Sequence, residues 1–203
     1  MQTGVIILCG GKSSRMGRDK ATLPFGPELM LQRVVRLIGE VVAVENTVVV
    51  TAPNQMLPPL PREVLIAHDA QEYLGPLAGL AMGLAALADR VDAVFATGCD
   101  VPLLVPAFVE RMFDLLGDHD AAVPFDGKHY HSLAAVYRVS VLGPIEVLLN
   151  AERLRSRDLF NEVRTRAVSV EELRDVDPRL STLENLNHER DYQAALRAAG
   201  FVT

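Results

Sequence analysis

The chain has no tryptophan, and aromatic residues make up only 5% of its 203 positions. A protein that reads nucleic acid by stacking bases needs more rings than this. A broad basic face is missing as well, because the formal net charge is −6, so general nucleic-acid binding is not expected. A nucleotide remains open as a small ligand. Cysteine occurs twice, at Cys9 and Cys99. The N-terminus runs straight into an apolar strand without a basic leader and cleavage site, so no secretory signal is expected and the cytoplasm is the predicted compartment. No apolar run reaches the roughly 20 residues a bilayer requires, the longest small-apolar stretch being 77–88. Internal repeats and low-complexity segments are absent too. What remains is an acidic chain of ordinary globular composition, long enough for one domain with a sizeable core.

Against that acidic background one stretch differs: Ile6-Ile7-Leu8-Cys9-Gly10-Gly11-Lys12-Ser13-Ser14-Arg15-Met16-Gly17-Arg18-Asp19-Lys20. A short apolar run, predicted to be a buried strand, breaks at two glycines into a loop. Lys12, Arg15, Arg18 and Lys20 face only Asp19 there, a local excess of about +3 that suits a small, strongly anionic ligand. Gly10 and Gly11 let backbone N–H groups approach such a ligand, and Ser13 and Ser14 add hydroxyl donors. The blander alternative is a solvated surface loop. Neither common phosphate motif fits. A Walker A sequence needs glycine where Ile6 stands, and the intervals of Gly10, Gly11 and Gly17 are wrong for a dinucleotide fingerprint.

Further along, apolar spacing predicts a covering helix over 30–38, and Leu23-Pro24-Phe25-Gly26 reads as a turn. Residues 47–51 and 64–67 are predicted buried strands, joined by an irregular connection over 53–61 that holds four prolines. Asp69 directly follows the second of them. Gly75-Pro76 opens a helix, with Gly75 placed where a helix start meets a ligand, and Gly79 and Gly83 four apart for close packing. Residues 93–97 form another strand, ending in Gly98-Cys99-Asp100-Val101-Pro102. Then come a helix over 106–116, strands over 121–124 and 131–137, a helix from about 140 to 149, a short helix near 159–163, an edge strand over 167–170, and a last helix over 188–199 that Gly200 ends. Alternating strands and helices predict a three-layer α/β sandwich.

In open α/β sheets ligands collect at the carboxyl ends of strands, and three such ends carry Gly10-Gly11, Asp69 and Asp100. An aspartate after a strand is often only a helix cap. Beside a cationic phosphate loop, Asp100 reads instead as a ligand for Mg²⁺, a hard cation that takes its remaining oxygens from the nucleotide. Lys12, Arg15 and Lys20 then neutralise a triphosphate. His129 and His131 lack further ligands at zinc spacing. Cys9 and Cys99 each end a strand; buried small residues are the simpler reading, neighbours beside the nucleotide the other.

The segment from Leu8 to Lys20 resembles the signature of nucleotidyltransferases related to molybdenum cofactor guanylyltransferase, usually written Leu-Ala-Gly-Gly-x-Ser-x-Arg-Met-Gly-x-Asp-Lys. Its one departure is Cys9, where alanine is usual. Weaker matches, at Asp69 with Gly75-Pro76-Leu77-Ala78-Gly79, at Gly98-Cys99-Asp100-Val101-Pro102 and at Asn185-Leu186-Asn187, extend the resemblance over nearly the whole chain. It implies a Rossmann-like, mostly parallel sheet of the nucleotidyltransferase type, in one domain over 1–203 with a nucleotide-binding half (about 1–105) and an acceptor-binding half (about 106–203). It further implies that Leu8, Cys9 and Gly10 line the guanine nucleotide, Lys20 reaches its phosphates, Asp69 contacts the nucleoside and Asp100 holds magnesium. The implied reaction joins GTP to molybdopterin cofactor with release of pyrophosphate, in a monomer, with accessory or acceptor molybdoenzyme proteins as further partners. Two late motifs depart from the family: Asn185-Leu186-Asn187 is followed by His188-Glu189-Arg190 rather than Thr-Pro-Glu, and Ser132-Leu133 replaces Pro-Leu. Asn185, Asn187, Arg155 and Arg157 are candidate acceptor contacts; for the two arginines a solvated helix start is the alternative. The rival functions are a CTP-dependent or sugar-phosphate nucleotidyltransferase on the same scaffold and a catalytically silent nucleotide-binding regulator.

Overall fold

The computed structural model describes residues 1–9, 19–68 and 75–201. Gly10, Gly11, Lys12, Ser13, Arg15 and Asp69, all expected to contact the nucleotide, lie outside them. In chain order the elements are β1 (Thr3–Leu8), a small hairpin of β2 (Pro24–Phe25) and β3 (Glu28–Leu29), α1 (Met30–Ile38), β4 (Thr47–Thr51), β5 (Leu65–His68), α2 (Pro76–Leu87), β6 (Ala93–Gly98) and α3 (Pro106–Leu116). The second half adds β7 (Ala121–Phe125), β8 (Ala134–Arg138), α4 (Leu142–Asn150), α5 (Ser156–Glu162), β9 (Thr165–Ser169) and α6 (Glu189–Ala198).

Seven strands form one sheet in the order β5-β4-β1-β6-β8-β7-β9. Every strand runs parallel except β8, which is antiparallel to both neighbours. The central strands β1, β4 and β6, buried but for the two ends of β1, carry mainly β-branched and small apolar residues on both faces, as a sheet covered by helices requires. Val5, Ile7 and Phe95 pack with α1 and α3 on one face, whereas Ile6, Val48 and Val94 pack with α2, α4 and α5 on the other. The result is the three-layer α/β/α sandwich that the alternation of elements predicts.

Gly79 and Gly83 turn toward β1. A Cβ on Gly83 would lie 2.5 Å from Ile6 Cγ2, and one on Gly79 would lie 3.1 Å from Leu8 Cδ2. Their absent side chains let α2 settle closely on the central strand, which is the packing role expected of them.

Some boundaries differ from expectation for local reasons. Within the expected 23–26 turn, Pro24–Phe25 form β2 and the hairpin's turn lies at Gly26, φ 65, and Pro27. β8 starts at Ala134 rather than His131, because a turn in which Ala134 N–H donates to the His131 carbonyl (3.1 Å) precedes it. A 3₁₀ turn occupies Val139–Val141, so α4 starts at Leu142. A third apolar cluster of Leu23, Phe25, Met30, Leu186 and Ala195 brings α6 onto the hairpin and the start of α1.

Candidate active site

The carboxyl ends of β1 and β6 are in register, Leu8 opposite Gly98. The residues that follow are therefore neighbours: Cys99 N–H donates to the Leu8 carbonyl at 3.1 Å, and Cys9 N–H to the Val50 carbonyl at 2.8 Å. Both cysteines are free and buried. A hydrogen bond to Cys99, reinforced by burial, pushes the Cys9 thiol well above the usual thiol range, which keeps it protonated and inert. The cysteines are buried, as the simpler reading has it, and they are neighbours.

Asp100 projects from the turn after β6. Gly98 makes room for it, since a Cβ there would sit 2.6 Å from Asp100 Oδ1. Lys20 stands on the 3₁₀ turn Lys20–Thr22, whose start is capped by Asp19 Oδ1 accepting from Ala21 N–H at 3.0 Å. Lys20 Nζ meets Asp100 Oδ2 at 2.7 Å. These side chains, 80 positions apart, are only 19% and 16% exposed, so their attraction is less screened than that of a surface pair. Lys20 Nζ also donates to Asn187 Oδ1 at 3.3 Å. Asn187 is brought there by Leu186, which is buried in the hairpin cluster and whose N–H donates to the Asp100 carbonyl at 3.0 Å.

Three supporting residues carry no sequence signal of their own. Gln55 Nε2 donates to the Cys9 carbonyl (3.2 Å) and to both Asp19 oxygens (3.1 and 2.9 Å), so one amide ties together the two residues that flank 10–18. Arg33 donates from Nε to the Pro102 carbonyl at 2.6 Å and lies over the rings of Phe25 and Phe201. The buried Asp177 accepts from Ser181 and Thr182 N–H, and Thr182 Oγ1 accepts from Val105 N–H. Arg33 and the Asp177 turn thereby fix the segment leading away from Asp100.

Leu8 turns its side chain toward α2 at Gly79. Gly75 caps α2 with φ 80, and a Cβ there would come within 3.9 Å of the Leu154 carbonyl. This contact brings the helix start beside Arg155. Arg155 and Arg157 line a separate cavity of about 530 Å³ on the same sheet edge, while Asn185 is exposed. Asn187, expected beside the acceptor, is in contact with Lys20.

A family model described as "MobA-like NTP transferase domain" matches residues 5–167. The chain belongs to the MobA-like NTP transferase family. Among relatives of this NTP transferase, one from Mycobacterium bovis named molybdenum cofactor guanylyltransferase is 38% identical over 151 residues, covering 72% of this chain and 73% of its own. One of the same name from Mycobacterium ulcerans is 33% identical over 198 residues, 95% and 92% of the two chains. The crystal structure of molybdopterin-guanine dinucleotide biosynthesis protein A from Archaeoglobus fulgidus superposes with a TM-score of 0.77 over the whole of both chains at 18% identity, which establishes the shared fold. Nucleotidyltransferases generally employ a divalent metal, and no described helix of this one is long and apolar enough to cross a membrane.

Proposed function

We propose that the chain transfers GMP from GTP to the phosphate of molybdopterin, forming the guanine dinucleotide cofactor and releasing pyrophosphate. The observation that carries this reading is the meeting of Lys20, Asp100 and Asn187 at the carboxyl edge of β1 and β6. It places one cation and one hard carboxylate where the cationic loop begins and ends.

In the reaction an oxygen of the acceptor phosphate bonds to the α-phosphorus of GTP, and the bond from that phosphorus to the bridging β-oxygen breaks. The second pKa of a phosphate monoester is about 6, so the nucleophile is already largely ionised at neutral pH and needs no general base. What the protein supplies is position and charge. Lys20 exchanges Asp100 for the β- and γ-phosphates as the nucleotide enters; Lys12 and Arg15 are assigned to the same triphosphate charge, and Gly10, Gly11 and Ser13 to it as backbone and hydroxyl donors. Leu8, Cys9, Asp69 and Gly75 are assigned to the nucleotide, and Asn185, Asn187, Arg155 and Arg157 to the acceptor.

Asp100, released from Lys20, is the residue to hold Mg²⁺. Among the described residues no group of three His, Cys, Asp or Glu forms a ready-made metal cage. A single carboxylate with substrate phosphates completing the shell is the usual magnesium arrangement. Bound there, Mg²⁺ would draw charge from the α-phosphate and steady the leaving oxygen. The reading assigns the nucleotide to about 1–105 and the acceptor to about 106–203 of one domain, in a cytoplasmic monomer.

The test is pyrophosphate release with GTP or CTP, with and without molybdopterin. Release that requires both GTP and molybdopterin, and that Lys20→Ala and Asp100→Ala each reduce by at least a thousandfold, supports the proposal. Preference for CTP, release independent of molybdopterin, or near-full activity of either variant overturns it.

A further inference from the structure

The chain has seven phenylalanines and four tyrosines, yet three of those rings line one cavity. Phe125 ends β7, Tyr130 follows it in the loop to β8, and Phe160 lies on α5. The ring centroids of Phe125 and Tyr130 are 4.7 Å apart, and those of Tyr130 and Phe160 are 5.0 Å apart. Tyr130 is 40% exposed, so part of this ring stays open although it has two aromatic neighbours. The same cavity, about 530 Å³, is lined by Lys128, Arg155 and Arg157 and by no carboxylate.

Those three cations have no ion-pair partner among the described residues. Arg153, close by, differs: it pairs with Glu162 at 2.8 Å and Asp158 at 3.7 Å and so braces α5. The loop that presents Tyr130 is built in advance. Asp126 Oδ1 accepts from the N–H groups of Lys128 (2.8 Å) and His129 (2.7 Å), Gly127 turns the chain at φ 92, and His131 N–H donates to the Pro124 carbonyl at 2.9 Å. Order already present before binding lowers the cost of binding.

Resting on the guanylyl-transfer reading above, we propose that this cavity receives the ring system of the acceptor, a planar fused heterocycle carrying anionic groups, with Tyr130 and Phe160 as its stacking surface. An exposed ring supplies the flat contact, and unpaired cations on the rim offset the ligand's negative charge. The spacing also suits such a molecule. One strand, β8, separates β6 from β7, so two strand spacings, about 10 Å, lie between the Asp100 side and the Phe125 side of the sheet edge. A fused-ring ligand with a phosphate on a short arm spans that gap, its phosphate at the nucleotide and its rings on the aromatic wall. Tyr130 and Phe160 are thus specificity residues for the acceptor and leave the nucleotide untouched.

The test uses 6-hydroxymethylpterin monophosphate as the probe. The chain has no tryptophan, so the pterin's own fluorescence is followed with little protein background. Tyr130→Ala and Phe160→Ala should each weaken probe binding about tenfold, in the range of a base-on-ring stack. Tyr130→Phe should keep it, and GTP binding should be equal in all three variants. With molybdopterin as substrate, Tyr130→Ala should raise KM for the acceptor and leave KM for GTP unchanged. Equal probe binding by wild type and both alanine variants overturns the proposal, as does displacement of the probe by GTP or failure of the wild-type protein to bind it. Wild-type protein that binds the probe through these rings but does not move GMP to molybdopterin overturns the guanylyl-transfer reading and supports the stacking surface.

Discussion

Gln55 works at the scale of one side chain. Its Nε2 reaches the Cys9 carbonyl and the Asp19 carboxylate, and its Oε1 accepts from Thr51 Oγ1 (2.7 Å) and Ala52 N–H (3.2 Å). Its Nε2 donors hold the two residues that bracket 10–18, and its Oε1 anchors the amide to the end of β4. Gln55→Ala should raise KM for GTP about tenfold, the effect of losing hydrogen bonds to a charged acceptor, with a smaller change in kcat. Gln55→Glu should do worse, because it sets a second carboxylate against Asp19. Steady-state kinetics with GTP varied at saturating acceptor checks both, and a Glu variant no weaker than the Ala variant would count against the charge argument. Gln55 was illegible beforehand because it lies in the proline-rich connection, where no periodicity singles out a residue. Lys20 and Asp100 were legible because each belongs to a sequence motif tied to a strand end. Their contact at 2.7 Å gives the physical meeting that those motifs require.

Helix α2 shows what can be read at the scale of an element. An apolar run opened by Gly75-Pro76 and carrying two glycines four apart predicts a buried helix in close contact with a neighbour, and the structure supplies β1 as that neighbour. Gly83→Ala puts a methyl group 2.5 Å from Ile6, a fully buried side chain in the middle of the sheet that has nowhere to move. The loss from overpacking, typically 1–3 kcal/mol, outweighs the roughly 1 kcal/mol that alanine gains over glycine in a helix. A net destabilisation of up to about 2 kcal/mol is expected, read as a lower urea midpoint at unchanged slope. Elements whose ends are set by one turn were harder to place. The start of β8 depends on a single backbone hydrogen bond at Ala134, and the start of α4 on the 3₁₀ turn before it; neither leaves a pattern in the residue order.

Across the whole molecule, several carboxylates sit below their ordinary range. The Arg36 guanidinium lowers Glu28, Arg164 lowers Asp120, and the N–H groups of His129 and Lys128 bring Asp126 down to about 2. Each takes up its proton at a lower pH folded than unfolded, so as acid is added the unfolded chain binds protons first. The stability these groups give is complete above about pH 5, where unfolded carboxylates are ionised. It is lost progressively as pH falls toward about 2. Thermal melts from pH 7 to pH 3 should therefore show a midpoint that declines below pH 5, and a midpoint unchanged down to pH 3 would contradict this account. Topology was the part least visible in the sequence. That β8 runs against its neighbours is decided by pairings between distant segments, whereas the residues of β8 are those of any buried strand.

That one reversed strand has a structural outcome beyond the sheet. Because β8 points the other way, its beginning lies at the edge where its neighbours end, so the chain leaves β7 and re-enters the sheet through a short hairpin on the ligand side. The Asp126–Tyr130 turn is thereby an outcrop whose roots, β7 and β8, lie in the second half of the chain, with β8 pairing along β6. Changes of length or residue there can reshape the cavity lined by Tyr130 and Phe160 while leaving the Lys20–Asp100 contact in place, so one end of the sheet can be remodelled without rebuilding the other.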